Sequence, residues 1–450
     1  MRDGTLMSGS AVGTKRRALR FAEREARIDR VGRLALLGVL ALWVFVPEVR
    51  RLVDWKHGFS SISVISAFPL VALVPFLFFL RDSRRPRQQA PVIAIAVLWA
   101  GIFAYALVIG VAQGSAAAAV YAYMLAVLPA VVGVWIGTRC TDPGSWYRDI
   151  ARFLLWTAAI ISIYGIYQYV AAPPWDTAWM QQSGMNSNGI PKPYMIRVFS
   201  VLNAPAAFGD FLALVLLVAF PILTWRSIPL VTLMLAALVL SQLREAWIGL
   251  VIGVIALFCL SPRRIGGAAA LGASVAVCVL AISIIPYVTG TLDVQKSIVT
   301  RLTTFGQLSS DISAVDRWNQ MDSAYRKTTN NPLGAGLGEL GTAAKLSSAS
   351  AETEVLDSGF LSRFVEMGVL GTFAYIGVLL AGIVIVSRIW WAERGPDRRD
   401  ARSFAAVALS VQIMLFAIDF FGDKHLALNG LIFWIVLGLV RLPGREARHQ

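Results

Sequence analysis

Charged residues are scarce in this 450-residue sequence, at 15% against 57% apolar. Soluble domains carry about a quarter charged residues and about half apolar ones, so a large soluble domain is excluded. Mean hydropathy is +0.64, as an integral membrane protein with many spans requires. Cysteine is nearly absent: Cys140, Cys259 and Cys278 are odd in number, and two fall in apolar runs. Neither a disulfide framework nor a metal site is indicated, and no cofactor is expected. Acidic residues are few, 27 against 41 Lys+Arg, for a net charge of +14. That balance would suit nucleic acid, but the basic residues lie mostly between apolar stretches, so the bilayer is the expected partner and nucleic acid is not. A cleavable signal peptide is missing as well. Residues 15–33 are too charged for one and read as a basic amphipathic helix on the cytoplasmic membrane surface. No internal repeat or low-complexity tract is visible.

What remains is a succession of apolar segments, twelve by this reading: about 34–46, 59–80, 91–112, 115–137, 151–171, 199–223, 228–243, 245–260, 266–287, 359–387, 403–421 and 426–440. The fold class expected is an all-α integral membrane protein of about 12 transmembrane helices. Residues 1–33 form its cytoplasmic N-terminal segment, and 34–287 hold helices 1–9 with an outer loop at 172–198. A large extracytoplasmic loop follows at 288–358, then helices 10–12 at 359–440 and a tail at 441–450. With the N-terminus inside, inner segments hold 27 Lys/Arg, against 8 in the short outer segments. Both termini are therefore expected in the cytoplasm. Residues 228–260 could be one helix, but 33 residues at ~1.5 Å each span ~50 Å against a hydrocarbon core of ~30 Å. Two short helices meeting at residues 242–245 fit better, with Arg244 recessed at their tip.

The outer face then gathers the polar residues of interest. Residues 172–198 read as an irregular loop, and 313–327 as a short amphipathic helix capped by Ser313 with Asp316. Val315, Trp318, Met321 and Tyr325 form its apolar face. Gly334, Gly336 and Gly338 read as a mobile turn, since the GAGLG run lacks the Lys and Ser/Thr of a nucleotide-binding loop. Arg197 is either functional or a snorkelling residue at a span start. Arg244, recessed and basic, needs an anionic partner. Asp357 and Ser358 stand where a helix N-cap belongs, and Asp423-Lys424-His425 reads as a solvated turn. Asp210 should face a polar cavity or a partner helix, ~16 Å into its span.

Four pieces in order resemble the O-antigen ligase and polymerase family of bacterial cytoplasmic membranes: RVFSVLNAPAAFG (197–209), SQLREAWIGL (241–250), DRWNQMDSAYRKTTNNPLGAGLG (316–338) and DSGFLSRFVEMGVLG (357–371). The resemblance covers roughly 197–371. It implies a GT-C-like membrane glycosyltransferase that moves a glycan from an undecaprenyl-diphosphate carrier to an acceptor hydroxyl, without a metal. The donor and acceptor lipid-linked oligosaccharides are the implied substrates, with flippase and chain-length regulator proteins as further partners. Arg197, Arg244 and Arg317 are carried over as a diphosphate clamp, because the planar guanidinium bonds phosphate oxygens in pairs. Ligases of the family usually open the segment after the large loop with His. Here Asp357 stands there, with Glu354 as the substitute base, and the nearest His is His425. An acid at that position resembles the polymerases, so polymerisation of repeat units is the expected reaction. A ligase is the rival reading, and a lipid-linked oligosaccharide flippase the rival from another class.

Overall fold

The computed structural model describes residues 8–80, 90–184, 186–261, 265–289, 312–346, 356–393 and 399–441. Among the described residues the chain is helical and forms no extended strand, only an isolated bridge between Gly189 and Ile196. Seven helices are long and apolar enough to cross a membrane, and four apolar helices are shorter. This is an all-helical, multi-pass membrane protein.

The chain begins with α1 (Ser8–His57), continuous over 50 residues. The basic segment is therefore no separate surface helix. It runs unbroken into the first apolar stretch, since no proline stands between them and Gly32 alone does not end a helix. Short turns at Val64–Ala67, Phe68–Val71 and Pro75–Phe79 follow. They divide the 59–80 segment because Pro69 and Pro75 lack the N–H an unbroken helix needs. Then come α2 (Ala90–Ala112), α3 (Ala116–Arg139) and α4 (Pro143–Ala171), the last capped by Asp142.

Residues 172–198 are not wholly irregular. Pro174 opens a ten-residue helix, α5 (Pro174–Ser183), at the position where its missing N–H costs nothing. The chain is then irregular until Pro205 opens α6 (Pro205–Ala219). The span expected from 199 therefore starts six residues late. Asp210 sits about 8 Å into this 15-residue helix, two residues short of its midpoint. The next two helices, α7 (Ile228–Leu240) and α8 (Arg244–Leu260), are separate and meet at a three-residue turn, as their combined length demands. After α9 (Ile265–Thr289) the described chain resumes in α10 (Ile312–Asn330). Ser313 lies inside this helix rather than capping it. The chain closes with α11 (Gly359–Ala392), α12 (Arg399–Ile418) and α13 (Ala427–Gly438).

Side-chain contacts define two ends of the bundle. At one, Arg33 of α1 pairs with Asp149 of α4, and Trp146 donates to Asp29. At the other, α1 and α4 meet again through a buried network that anchors the 172–204 segment. Arg51 is buried against Glu48, Asp176 and the Ser200 carbonyl. Gln168 donates to Asp176 and accepts the N–H groups of Phe199 and Ser200, at 3.0 and 2.9 Å. Burial pushes the Asp176 carboxyl above the ordinary range, although Arg51 opposes it.

The glycine turn is packed, not mobile. Gly334, Gly336 and Gly338 all take positive φ, and the Leu337 N–H reaches the Ala106 carbonyl at 2.9 Å. A Cβ on Gly336 would lie 2.4 Å from Gly110 Cα. Gly336→Ala should therefore destabilise by about 1–3 kcal/mol from overpacking alone. A melting curve in detergent checks this, and a wild-type midpoint would show that the turn yields freely.

Candidate functional site

The second end of the bundle, beyond α2, α4, α7 and α12, collects four segments that are distant in sequence. The first two are the approach to α6 and the α7–α8 turn. Val198 N–H bonds to Leu240 O at 3.2 Å, and Arg197 Nη2 to Gln242 O at 3.3 Å. Gln242 holds φ +55, so the chain reverses within the turn. Arg244 is the first residue of α8. Two of the arginines expected to act together are thus brought to one turn, both half-buried.

The third segment is the 419–426 corner, and it is not solvated. Lys424 and His425 are 3% and 1% exposed. Lys424 Nζ donates to Asp210 Oδ2 and to Glu245 Oε1, each at 2.7 Å. This answers what Asp210 faces: a lysine from another element, closing a three-residue ion cluster. Burial by itself lowers the lysine pKa, but Asp210 and Glu245 outweigh it and hold Lys424 above its usual value. Glu245 follows Arg244 directly, so the cluster pins the first turn of α8. His425 Nδ1 lies 3.5 Å from Asp419 and 3.4 Å from the Tyr375 hydroxyl. It is packed among Trp99, Tyr375 and Phe433 and closed off from solvent.

The fourth segment runs from α10 into α11. Asp357 N–H donates to Gln320 Oε1 at 2.7 Å, which ties the start of α11 to α10. Ser358, not Asp357, caps α11: its Oγ accepts from Leu361 N–H. The Asp357 side chain is exposed and its carboxylate takes no part in the cap. Arg317 lies one turn before Gln320 on α10; its side chain, and the whole of Glu354, fall outside the described residues.

One charged group that the sequence reading overlooked is central here. Arg363, 4% exposed, pairs with Asp423 and with Glu366 Oε2 at 2.9 Å, and its guanidinium stacks over Phe103 at 5.3 Å. Glu366 in turn accepts the Gly338 N–H at 3.2 Å. Burial raises the Asp423 carboxyl although Arg363 opposes it. At Gly368, α11 breaks with φ +65, and its first nine residues form a half-helix beneath the glycine turn. Arg363 sits in a mostly apolar run (GFLSRFVEMG), and its i,i+3 spacing to Glu366 was the local signal that could have flagged it.

Removing one partner from a buried ion cluster leaves uncompensated charge and costs about 3–5 kcal/mol. Lys424→Met should therefore lower the melting midpoint sharply, and a second change, Asp210→Asn, should recover part of the loss. Equal midpoints for Lys424→Met and the double variant would mean that Asp210 and Lys424 are not coupled.

The arrangement gathers guanidinium groups and an exposed carboxylate beside a buried electrostatic frame, at one end of an apolar bundle. Among the described residues, no group of His, Cys, Asp and Glu is placed to hold a metal ion. Residues 229–376 match the family model described as O-Antigen ligase. The matched stretch runs from α7 through the first half of α11 and beyond Gly368, and it contains Arg244, Arg317, Asp357 and Arg363. Arg197, Asp210 and Lys424 lie outside it. The O-antigen ligase resemblance read from the residues is thus borne out over that stretch, and with it a membrane enzyme of the glycan-transferring type. No curated protein matches the chain.

Proposed function

We propose that this chain is a glycosyltransferase that joins undecaprenyl-diphosphate-linked repeat units into a surface polysaccharide. The work is done on the outer face of the cytoplasmic membrane, with both termini inside. The observation that carries the reading is the meeting of Arg197 with the turn that bears Arg244. That turn belongs to the O-antigen ligase-like stretch, although Arg197 itself lies outside it. In this scheme the acceptor hydroxyl oxygen attacks the anomeric carbon of the donor, and the bond from that carbon to the diphosphate breaks. The guanidinium groups of Arg197, Arg244 and Arg317 hold the charge that develops on the departing diphosphate. Asp357 takes the acceptor proton, with Glu354 as the substitute. Neither metal nor cofactor enters the scheme.

Two observations favour polymerisation over ligation, although the matched family is described as a ligase. Position 357 carries a carboxylate, and His425, the nearest imidazole in the sequence, is buried against Asp419. The rival ligase would hand a finished glycan to lipid A core or to a protein. A flippase, the other rival, would be expected to show inverted repeats and ionisable groups near the midplane. No repeat is visible in the sequence, and Asp210 in mid-α6 is tied to Lys424 in a buried ion cluster.

The glycan phenotype of a deletion strain tests the proposal. Single repeat units in place of long chains are expected. Polymer accumulating on the carrier, with none attached at the surface, would assign ligase activity instead. Orientation has its own test: in a chain without native cysteines, Lys345→Cys should react with an impermeant maleimide in intact spheroplasts. Reaction only after permeabilisation would reverse the topology.

A further inference from the structure

The end of the bundle opposite the candidate site holds a cavity that glycan transfer does not use. Its volume is about 520 Å³, inside the range of roughly 300–1,000 Å³ typical of small-molecule sites. The wall is apolar, with Ala35 and Val39 from α1, Phe76 from the proline-rich turns and Trp135 from α3. The rim is polar at one end, where Arg27, Asp29 and Arg139 stand. Asp29 is already satisfied: it accepts from Arg33 Nη2 at 2.8 Å, from Trp146 Nε1 at 3.0 Å and from Thr141 Oγ1 at 3.2 Å. The lining therefore sets two arginines against one carboxylate that Arg33 also engages, and the rim is net positive.

The cavity belongs to a helix long and apolar enough to cross a membrane, Arg27–His57. Its side is open: Val31, also in the lining, is 59% exposed and Ala35 is exposed. An occupant must therefore combine a long apolar part with an anionic head. We infer that this cavity binds an anionic phospholipid from the adjoining leaflet, with an acyl chain between Ala35, Phe76 and Trp135. Its phosphate then meets Arg27 and Arg139, whose forks bond phosphate oxygens in pairs. A free phosphate would satisfy the rim and leave the apolar wall unfilled. A zwitterionic lipid would fill the wall and carry no net charge to the rim. The site is independent of the glycan-transfer reading.

The inference is tested on the full-length chain, purified in detergent and stripped of lipid, by native mass spectrometry and melting midpoint. The probes are phosphatidylglycerol, phosphatidylcholine with the same acyl chains, and inorganic phosphate. Phosphatidylglycerol should bind at least tenfold more tightly than phosphatidylcholine and raise the midpoint, while phosphate alone should not. Ala35→Trp, which places an indole in the cavity, should abolish the tight binding of phosphatidylglycerol. The double variant Arg27→Gln/Arg139→Gln leaves the cavity open and should bind both lipids equally. It decides the matter if the tryptophan variant does not fold. Wild-type preference for phosphatidylglycerol in the arginine variant, or no preference in the wild type, would overturn the inference. An equal midpoint shift from inorganic phosphate would overturn it too, by showing a site for a free anion.

Discussion

Arg244→Ala is expected to cut polymer formation by about 10²–10³-fold, the usual loss when one preorganised donor to a developing negative charge is removed. The side chain is half-buried at the first position of α8, where the helix N-terminus also favours an anion. Its neighbour Glu245 is held by Lys424, so the backbone that carries Arg244 stays in place when the guanidinium is removed. Arg197→Ala tests the turn as well as the clamp, because Arg197 bonds the Gln242 carbonyl. Arg244→Lys should rescue poorly, since an ammonium is a point charge without the paired geometry of the fork. The measurement is chain-length distribution of the lipid-linked glycan at matched protein level. Near-normal polymer from Arg244→Ala and Arg244→Lys alike would reduce Arg244 to a turn residue.

The same neighbourhood shows what a linear reading can and cannot recover. Hydropathy marked the apolar stretches, because helices that face lipid must be apolar along their length. Among the described residues, however, seven helices are long enough to cross a membrane where twelve spans were expected. Length arithmetic separated α7 from α8 and put Arg244 at their junction, where it stands. Two local features were missed because proline acts at the first turn of a helix: Pro174 starts one inside a segment that looks irregular, and Pro205 delays one inside a segment that looks apolar throughout. The charged frame was the harder part. Lys424 and Asp210 are 214 residues apart, and nothing local in Asp423-Lys424-His425 distinguishes a buried corner from a solvated turn. Arg363 was missed for the opposite reason: its partners Glu366 and Asp423 come from a half-helix and a distant corner, and the segment was read for its first residue alone. The glycine turn was misjudged because composition reports backbone freedom, whereas close approach to Gly110 depends on which helix lies beneath.

These frames also explain why so many ionisable groups lie at one end of an apolar bundle. The half-helix of α11 cannot pack as a plain span, because Gly368 breaks it and the glycine turn lies over the break. Arg363 offsets the buried carboxylates of Glu366 and Asp423, and Lys424 does the same for Asp210 and Glu245. Two cations thus serve four carboxylates, and each joins elements that the chain order keeps apart. A frame of that kind fixes α8 and α11 relative to each other, which is what a site assembled from their N-terminal residues requires. Residues within the frame and residues facing substrate should therefore fail differently. Frame variants lose melting temperature first, while Arg244 and Asp357 variants lose product with the fold intact.

Asp357 offers the sharpest form of that distinction. A carboxylate at this position was open to two readings, base or helix cap, and alanine at a cap costs about 1 kcal/mol. Ser358 takes the cap, through its Oγ and the Leu361 N–H, and Gln320 holds the Asp357 backbone N–H whatever side chain follows. Asp357→Ala and Asp357→Asn should therefore both melt like the wild type, without the cap penalty that would otherwise blur the comparison. A group that accepts the acceptor proton must ionise, and asparagine cannot. Both variants should lose about 10²–10⁴ in rate, the usual worth of a general base, and Asp357→Glu should recover part of it if the longer carboxylate still reaches the hydroxyl. Turnover should fall equally in the two inactive variants across pH, since neither retains a titrating group at this position. The readout is the rate of chain extension on lipid-linked repeat units, with protein level and melting midpoint measured beside it. Wild-type chain lengths from Asp357→Asn would remove Asp357 from the chemistry and turn attention to Glu354, one helical turn earlier in sequence. Loss of product in Asp357→Ala alone, with Asp357→Asn active, would instead assign a hydrogen-bonding role in orienting the acceptor, because the amide keeps one carbonyl oxygen and cannot take a proton.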